Sequence, residues 1–453
     1  MIVPRNRLLF WTAAVVIPFA ALSALVPSER ELCMIAVGLL LLLVLIDASL
    51  SSRGLRGIKV EFPEVVRLSR GREGLIRFFA LNENTNKKKV RLGLAFPSGI
   101  RTKSDSLILN LQKGDRSFFQ WDCTPMKRGS YFFDLCYVEG TSPLGFWAVT
   151  GSLPINSEIR VYPDLLAERK HLASLFLNRG NFGIHTRRQV GQGRDFEKLR
   201  EYVHGDSYEH IHWKVTAKRG RPVTKVFQIE KTQEVYVIID ASRLSSRTPV
   251  ITDTNQPYAG NGEYPLSIIE RFVTSALVMG TAAQRQGDLF GVLTFSDRVR
   301  SFIRAKSGAG HYTSCRDALS SIHPEMVNPD FGELFSFIGM KLRRRALLIF
   351  LTNLDDPALA ESFIKGIGLI ARKHLVIVNM LRPAGIKPLF SDSRVESLDD
   401  LYGVLGGHLV WQNLSETGKV LERRGVRFTL LEDETMCREL VSQYMELKQR
   451  QLL

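Results

Sequence analysis

Residues 232–453 alternate apolar, β-rich runs with amphipathic helical patterns. The helical pattern from Pro265 to Gln286 places apolar residues at i, i+3 and i+4, as expected for a helix with one buried face. Continuous apolar strands that alternate with amphipathic helices indicate a parallel sheet covered on both sides. The pattern therefore predicts an α/β doubly wound domain. Its main strands are predicted at "VYVIID" (235–240), "FGVLTF" (290–295), "ALLIFLT" (346–352), "HLVIVNML" (374–381) and "VRFTLLE" (426–432).

Shorter elements complete this prediction. Helices are expected near 312–322, 332–342 and 358–373, and "VRSFIR" (299–304) is typical of a short strand. In open parallel sheets, ligands bind beyond the carboxyl ends of the strands. Asp240 and Asn353 are predicted to occupy two such ends.

Residues 57–162 have a different periodicity. Runs such as "LIRFFAL", "VRLGLAF" and "SFFQWDC" alternate apolar and polar positions, and clusters such as "ENTNKKK" and "MKRGS" separate them. Period-2 alternation broken by Gly, Asn and Lys predicts an antiparallel β-sandwich. No catalytic grouping stands out, so we interpret this region as a packed β module for spacing or binding.

The N-terminal 52 residues are typical of a membrane anchor. Residues 8–26 and 33–46 carry no charge, and the polar loop "PSERE" separates them. The first run is long enough to cross a bilayer, and the second reaches that length with flanking residues to Leu50. We expect two transmembrane helices in a hairpin; a cleaved signal peptide is the alternative, disfavoured because no Ala-x-Ala-like site follows. Basic residues flank the hairpin on its outer sides: Arg5, Arg7, Arg53, Arg56 and Lys59.

Composition and charge narrow the function. The positive-inside rule predicts a multi-pass protein of the inner (cytoplasmic) membrane whose soluble domains face the cytoplasm. Residues 163–231 form a basic connector, and 166–231 carry 14 Lys or Arg against 7 Asp or Glu, a net charge of +7 within a total of +15. Such a surface suits anionic lipid or an acidic protein partner. No nucleic-acid motif accompanies the charge, so we expect no nucleic-acid partner.

Four residues of the connector suggest a metal centre. His204, Asp206, His210 and His212 have suitable ligand chemistry, and the last two could share one face of a strand. A metal-assisted hydrolase is therefore one hypothesis. The other interpretation is a polar surface with Trp213 packed beneath it.

The connector also resembles the signature of the domain-of-unknown-function 58 family, in "DFEKLREYVHGD" followed by "IHWKVTAKRG". "TSPLGFW" (141–147) is similar to the phrase that closes the β module of that family, so the resemblance covers nearly the whole chain. Glu209 and His212 stand where the family has Arg and Asp. The positions that match the motif are Asp195, Phe196, Leu199, Arg200, Tyr202, Gly205, Asp206, Trp213 and Lys214.

The resemblance implies a von Willebrand factor A-like domain with an altered metal site. Asp240 and Ser242 fit an Asp-x-Ser-x-Ser loop, but Leu244 occupies the third position and Asn353 stands where an aspartate is expected. The candidate ligands for Mg²⁺ or Mn²⁺ are Asp240, Ser242, Thr313 and Asn353. Asp355 or Asp356 could compensate for the missing charge. The alternative is a retained fold in which Asp240 caps the first helix or hydrogen-bonds the loop.

The resemblance implies an adaptor or scaffold rather than an enzyme. The chain has no Gly-x4-Gly-Lys-Ser/Thr loop, no His-Glu-x-x-His and no nucleophile elbow. Relatives accompany MoxR-type AAA+ ATPases, so such a partner is expected. It would bind the face around Asp240 and the long loop 241–262. A metal-assisted hydrolase and a purely structural envelope protein remain the alternatives.

Overall fold

The computed structural model describes residues 1–25, 30–51, 54–84, 87–166, 190–204, 206–228, 233–248, 266–383, 385–389, 391 and 398–450. Several predicted features lie outside the described residues, namely Gly205, Pro265 and positions 249–262 of the long loop. The chain divides into two compact units, Met1–Asp164 and Leu165–Leu453.

The first unit begins with two apolar helices, α1 (Asn6–Leu25) and α2 (Arg30–Ser51). Both are long and apolar enough to cross a membrane, by length and composition. Most of their apolar side chains are exposed, among them Phe10, Ile17 and Leu45. These helices support the predicted association with a membrane.

The remainder of this unit is a β-sandwich of two sheets. One sheet has the order β1-β10-β9-β5-β7, with β3 beside β10, and the other has the order β2-β4-β8-β6. The strands are β1 (Ile2–Pro4), β2 (Ile58–Glu61), β3 (Val65–Ser69), β4 (Gly74–Asn82), β5 (Lys88–Leu94), β6 (Ile100–Thr102), β7 (Ser106–Leu111), β8 (Arg116–Pro125), β9 (Gly129–Thr141) and β10 (Trp147–Tyr162).

Two features differ from the predicted antiparallel module. β3 pairs with β10 in parallel, with Val65 opposite Glu158 and Ser69 opposite Tyr162. β1 precedes the first apolar helix yet pairs with β10. The core is filled from both sheets by side chains such as Phe78, Leu92 and Trp121, as period-2 alternation predicts.

The second unit begins with a ribbon that contains the signature motif. β11 (Val190–Glu201) pairs antiparallel with β12 (Val223–Gln228). The short helix α3 (Trp213–Arg219) lies between them, and Gly220 ends it with φ 67°, in the left-handed region. The connector is therefore a compact ribbon and helix over its described part.

The large sheet has the predicted α/β architecture. Its order is β15-β14-β13-β16-β17-β18, and every pairing is parallel except that of β15 with β14. The chain therefore reverses its direction of winding between β13 and β16, where open sheets form their ligand crevice. The strands are β13 (Glu234–Asp240), β14 (Leu289–Phe295), β15 (Val299–Lys306), β16 (Leu347–Leu351), β17 (Leu375–Leu381) and β18 (Val426–Leu431).

Helices cover both faces of this sheet. One core includes side chains of α4, α5 and α9, and the other includes side chains of α6, α7 and α8. Because each strand alternates its side chains between the two cores, the strands are apolar at nearly every position. The helices are α4 (Ile268–Arg285), α5 (Ala309–Ser320), α6 (Phe331–Lys341), α7 (Pro357–Ala371), α8 (Leu398–Arg423) and α9 (Met436–Gln449).

Candidate functional site

Asp240 ends β13 at the point where the sheet reverses its winding. Its side chain is fully buried. Oδ1 accepts a hydrogen bond from the backbone N–H of Ser242 at 2.8 Å, and Oδ2 accepts one from the Thr352 hydroxyl at 2.7 Å. Burial raises the pKa of Asp240, and the hydrogen bonds from Ser242 and Thr352 oppose that rise. The carboxyl group thus joins the ends of two neighbouring strands.

The loop after Asp240 turns inward. Ser242 is buried, and its hydroxyl accepts a hydrogen bond from the backbone N–H of Leu244 at 3.4 Å, which caps the 3-10 turn Arg243–Ser246. Leu244 is itself buried. The Ser245 hydroxyl donates to the backbone carbonyl of Ser242 at 2.8 Å. The third ligand position therefore belongs to the apolar interior, and Ser245 is engaged within the turn.

Asn353 and Thr313 lie in different surroundings. The Asn353 side-chain amide donates to the backbone carbonyl of Leu244 at 3.3 Å, and its Oδ1 is buried without a partner among the described residues. The Thr313 hydroxyl donates to the carbonyl of Ala309 at 3.1 Å, within its own helix α5. A third residue, Glu325, contacts the loop after Asp240 through its backbone. Its N–H donates a hydrogen bond to the carbonyl of Ala241 at 2.8 Å.

The two aspartates that could compensate for Asn353 have other roles. Asp355 forms an ion pair with Arg247. Asp356 accepts a hydrogen bond from the backbone N–H of Ala358 at 2.9 Å and caps α7.

These contacts do not fit a divalent-cation site. Magnesium needs a near-octahedral set of oxygen ligands and usually a carboxylate held in its charged form. Here burial favours the neutral form of Asp240, and both of its oxygens already accept hydrogen bonds. In the part of the chain that the structure describes, no group of three or more His, Cys, Asp or Glu side chains is placed to hold a metal ion. The geometry favours the second interpretation, in which Asp240 hydrogen-bonds the loop.

A polar cluster beyond β14 was not predicted from the sequence. Arg300 forms ion pairs with Asp297 at 2.7 Å and with Glu325, and its Nε donates to the Ser296 hydroxyl at 2.9 Å. The hydrogen bond from Ser296, together with nearby arginines, lowers the pKa of Asp297. The signal in the sequence is "FSDR", in which a buried strand is followed directly by polar residues. Thr352, at the end of β16, was missed although the same kind of signal marks it.

The His/Asp group of the connector does not form a metal centre. Asp206 accepts hydrogen bonds from Arg200 at 2.6 Å and from the backbone N–H of Val203 at 3.2 Å. His212 Nδ1 accepts from the backbone N–H of Val215 at 3.4 Å and caps α3. No group of three or more His, Cys, Asp or Glu side chains is placed to hold a metal ion among the described residues, which include all four of these side chains.

The signature motif exposes two aromatic side chains. Trp213 is 69% exposed and Tyr208 is 72% exposed, so the interpretation that placed Trp213 beneath a polar surface is wrong. The Tyr208 ring stacks on that of Tyr202 with centroids 5.9 Å apart. Lys214 is exposed beside Trp213, and Leu199 is half-buried on β11.

Two further motif positions, Asp195 and Phe196, lie on β11. Asp195 pairs with Gln228 and Phe196 with Phe227, so both lie within the two-stranded ribbon.

The first half of α8 carries an exposed apolar stripe, which was also not predicted from the sequence. Its members recur at the three- and four-residue spacing that places side chains on one helix face. The opposite face packs against the sheet through Trp411 and Leu414. A Cβ atom at Gly407 would collide with the carbonyl oxygen of Gly385, so the close approach of that loop requires glycine. The α8 stripe consists of Leu398, Leu401, Tyr402, Leu405 and Leu409.

A family comparison agrees with the signature motif. The family model described as "Protein of unknown function DUF58" matches residues 198–387. This range runs from the ribbon through β17, and it confirms the family resemblance derived from the sequence. Residues 198–387 are therefore similar to the domain-of-unknown-function 58 family. The search of curated proteins found no match.

Two solved structures show weaker likenesses. The "SpRpn10 VWA domain" is 9% identical, with 47% of this chain and 95% of that chain covered and a TM-score of 0.27. The "ASH / PapD-like domain of human CEP192 (PapD-like domain 7)" is 12% identical, with 24% and 87% covered and a TM-score of 0.18.

Proposed function

We propose that this protein is a membrane-anchored adaptor that binds a protein partner through its von Willebrand factor A-like domain. The observation that carries the proposal is the α8 stripe, because contiguous exposed apolar side chains on a helix mark interaction surfaces. The partner would bury the stripe in an apolar groove, as amphipathic helices do in helix-in-groove complexes.

The stripe replaces the surface first expected to bind the partner. Asp240 is fully buried and its carboxyl oxygens are engaged by Ser242 and Thr352. It cannot present a carboxylate or a metal to another protein without rearrangement of the loop. The proposed role of Asp240 is to hold the strand ends that support the domain.

We propose a MoxR-type AAA+ ATPase as the partner class, as the family resemblance implies. In this proposal α1 and α2 hold the chain at the membrane, and α8 is the helix to which the ATPase docks. The soluble domains lie on the cytoplasmic side, where ATP is available to the partner.

Co-purification tests the proposal. The tagged full chain and the MoxR-type ATPase of the same organism would be co-expressed and captured from detergent-solubilised membranes. We expect stoichiometric ATPase with the wild-type chain and a strongly reduced amount with Tyr402→Glu/Leu409→Glu. The matched control is Met340→Glu/Leu369→Glu, which places the same charge at exposed apolar positions on α6 and α7. Wild-type chain that captures no ATPase would favour a purely structural role.

A further inference from the structure

The signature ribbon carries a second surface whose chemistry differs from that of the α8 stripe. From His210 to Gln228 the chain has five Lys or Arg residues and no Asp or Glu. Four of these basic residues are exposed: Lys214, Lys218, Arg219 and Arg221. The exposed Tyr208 begins the 3-10 turn Tyr208–His210, and the exposed Trp213 is the first residue of α3.

Among the residues that the structure describes, ion pairs account for little of this charge. Arg221 pairs with Glu201 at 3.4 Å, but both side chains are at least 70% exposed, so the pair is weak. Arg200, on the adjoining strand, is the partner of Asp206. Lys214 and Lys218 lie four residues apart on α3, which places them on one helix face. Glu209 is the nearest exposed acidic residue along the chain.

We propose that this surface, defined as Tyr208, Trp213, Lys214, Lys218 and Arg219, binds the anionic headgroups of a lipid bilayer. Clustered Lys and Arg bind acidic lipid surfaces, and Trp and Tyr side chains favour the interface between headgroups and acyl chains. The same chain carries two helices that are apolar and long enough for a bilayer, so an anionic surface is available to it at high local concentration.

An acidic protein segment could pair with the lysines, but it would not bind the two exposed aromatic side chains as favourably as a membrane interface does. Trp213 presents an apolar ring with one N–H donor, the amphipathic character that suits a membrane interface. The proposal does not depend on the ATPase partner, and its test contains no second protein.

The test uses the full chain reconstituted into vesicles and the fluorescence of Trp213. Brominated lipids would be placed in vesicles of neutral phosphatidylcholine, with or without about one-third phosphatidylglycerol. Subtraction of the signal of Trp213→Phe isolates Trp213 from the other four tryptophans. We expect brominated lipids to quench Trp213 in anionic vesicles and to leave it largely unquenched in neutral vesicles.

Charge reversal provides the matched comparison. Lys214→Glu/Lys218→Glu should abolish the quenching, because each basic residue near the surface contributes about fivefold in membrane partition. Arg343→Glu/Arg344→Glu changes the net charge by the same amount at exposed positions before β16, and this variant should retain the quenching of Trp213. Quenching in anionic vesicles should also fall in about 0.5 M salt, which screens the surface charge.

Three results would overturn the proposal. These are no quenching in either vesicle, equal quenching in both, and equal loss in the two charge-reversal variants. The first would direct attention to an acidic protein segment as the partner of the basic residues.

Discussion

At the scale of single residues, Asp240 shows how one side chain can stabilise the crevice of a parallel sheet. Its two oxygens accept from the loop that follows β13 and from Thr352 after β16. A buried carboxyl group is costly unless it is hydrogen-bonded, and here both oxygens are. The residue holds two strand ends together at the position where related folds are expected to place a cation.

Substitutions of Asp240 distinguish a role in hydrogen bonding from a role that requires its negative charge. Asp240→Ala leaves the Thr352 hydroxyl and the Ser242 amide unpaired in the interior and should lower the free energy of unfolding by about 2–4 kcal/mol. Asp240→Asn keeps an acceptor and should cost far less. Chemical denaturation of the full chain in detergent measures both; equal losses would contradict the hydrogen-bonding role.

The pH dependence of Asp240 has a definite sign. Its folded-state pKa is raised, so the stability that it contributes is complete below the unfolded-state pKa and is lost as the pH rises through the folded-state pKa. The stability of Asp240→Asn relative to wild type should therefore increase with pH. A relative stability that decreases with pH would show that the folded protein favours the carboxylate.

Metal titration tests the same residue independently. Calorimetry with millimolar Mg²⁺ or Mn²⁺ should show no saturable binding that Asp240→Ala removes, because the site lacks a free carboxylate oxygen. Saturable binding to wild type that is lost in the variant would restore the metal hypothesis for Asp240, Ser242 and Asn353.

His374 provides a second residue-scale prediction. Burial, with a smaller effect of Lys373, lowers its pKa to about 4, and neither ring nitrogen has a partner among the described residues. The neutral ring is therefore retained on folding, and stability is lost as the pH falls from about 6.5 towards 4. His374→Leu should be more stable than wild type by about 2 kcal/mol at pH 5 and similar to it at pH 7.5. The exposed His204→Gln is the control; equal pH profiles for wild type and His374→Leu would contradict the assignment.

The positions of Asp240 and Asn353 at strand ends were predicted from the sequence, but the contacts of Thr313 and Thr352 were not. Strand ends can be located from apolar runs, so both residues were expected at carboxyl ends of the sheet. Thr313 was selected by its hydroxyl alone, and its hydroxyl bonds within α5. Thr352 lies at the same strand end as Asn353, but its contact with Asp240 could not be predicted, because strand order is a long-range property.

At the scale of elements, the turn "TSPLGFW" joins α2 to the β-sandwich within the first unit. The backbone N–H of Leu144 donates to Asp47 at 3.0 Å, and the Trp147 indole N–H donates to the carbonyl of Val44 at 3.0 Å. The Ser142 hydroxyl accepts from the backbone N–H groups of Gly145 and Trp147, each at 3.0 Å. The motif is therefore a turn that presents donors to the end of the helix.

Asp47 is the acceptor that this turn requires. Asp47→Ala should remove protection of the Leu144 amide from hydrogen exchange and destabilise the joint by about 1–3 kcal/mol. Asp47→Asn retains an acceptor and should keep most of the protection. Exchange of the 141–147 peptide in the full chain measures the difference; unchanged protection in Asp47→Ala would contradict the contact.

Elements with a clear periodicity were predicted, and those defined by their partners were not. The strands β13, β14, β16, β17 and β18 follow their apolar runs closely. The antiparallel direction of β15 and the pairing of β1 with β10 are set by distant strands. The α8 stripe was missed because its apolar face is exposed rather than buried.

At the scale of the whole molecule, each compact unit follows the physics of its sequence pattern. Period-2 alternation gives two sheets around one core in the first unit. Apolar strands with amphipathic helices give a sheet with a core on each face in the second. Neither pattern identifies a partner, since each pattern specifies the buried core and not the side chains that folding leaves exposed.

The central claim is that the α8 stripe binds a protein partner. The affinity of the full chain for the ATPase, with and without the stripe, tests it most directly. The full chain in lipid nanodiscs would be titrated with the purified MoxR-type ATPase, and the dissociation constants of the variants compared. Tyr402 and Leu409 are 70% and 60% exposed, and the control positions Met340 and Leu369 are 70% and 74% exposed. We predict that Tyr402→Glu/Leu409→Glu weakens binding at least about 30-fold while Met340→Glu/Leu369→Glu leaves it unchanged. Equal affinities for wild type and the α8 variant, or no binding to wild type, would contradict the account.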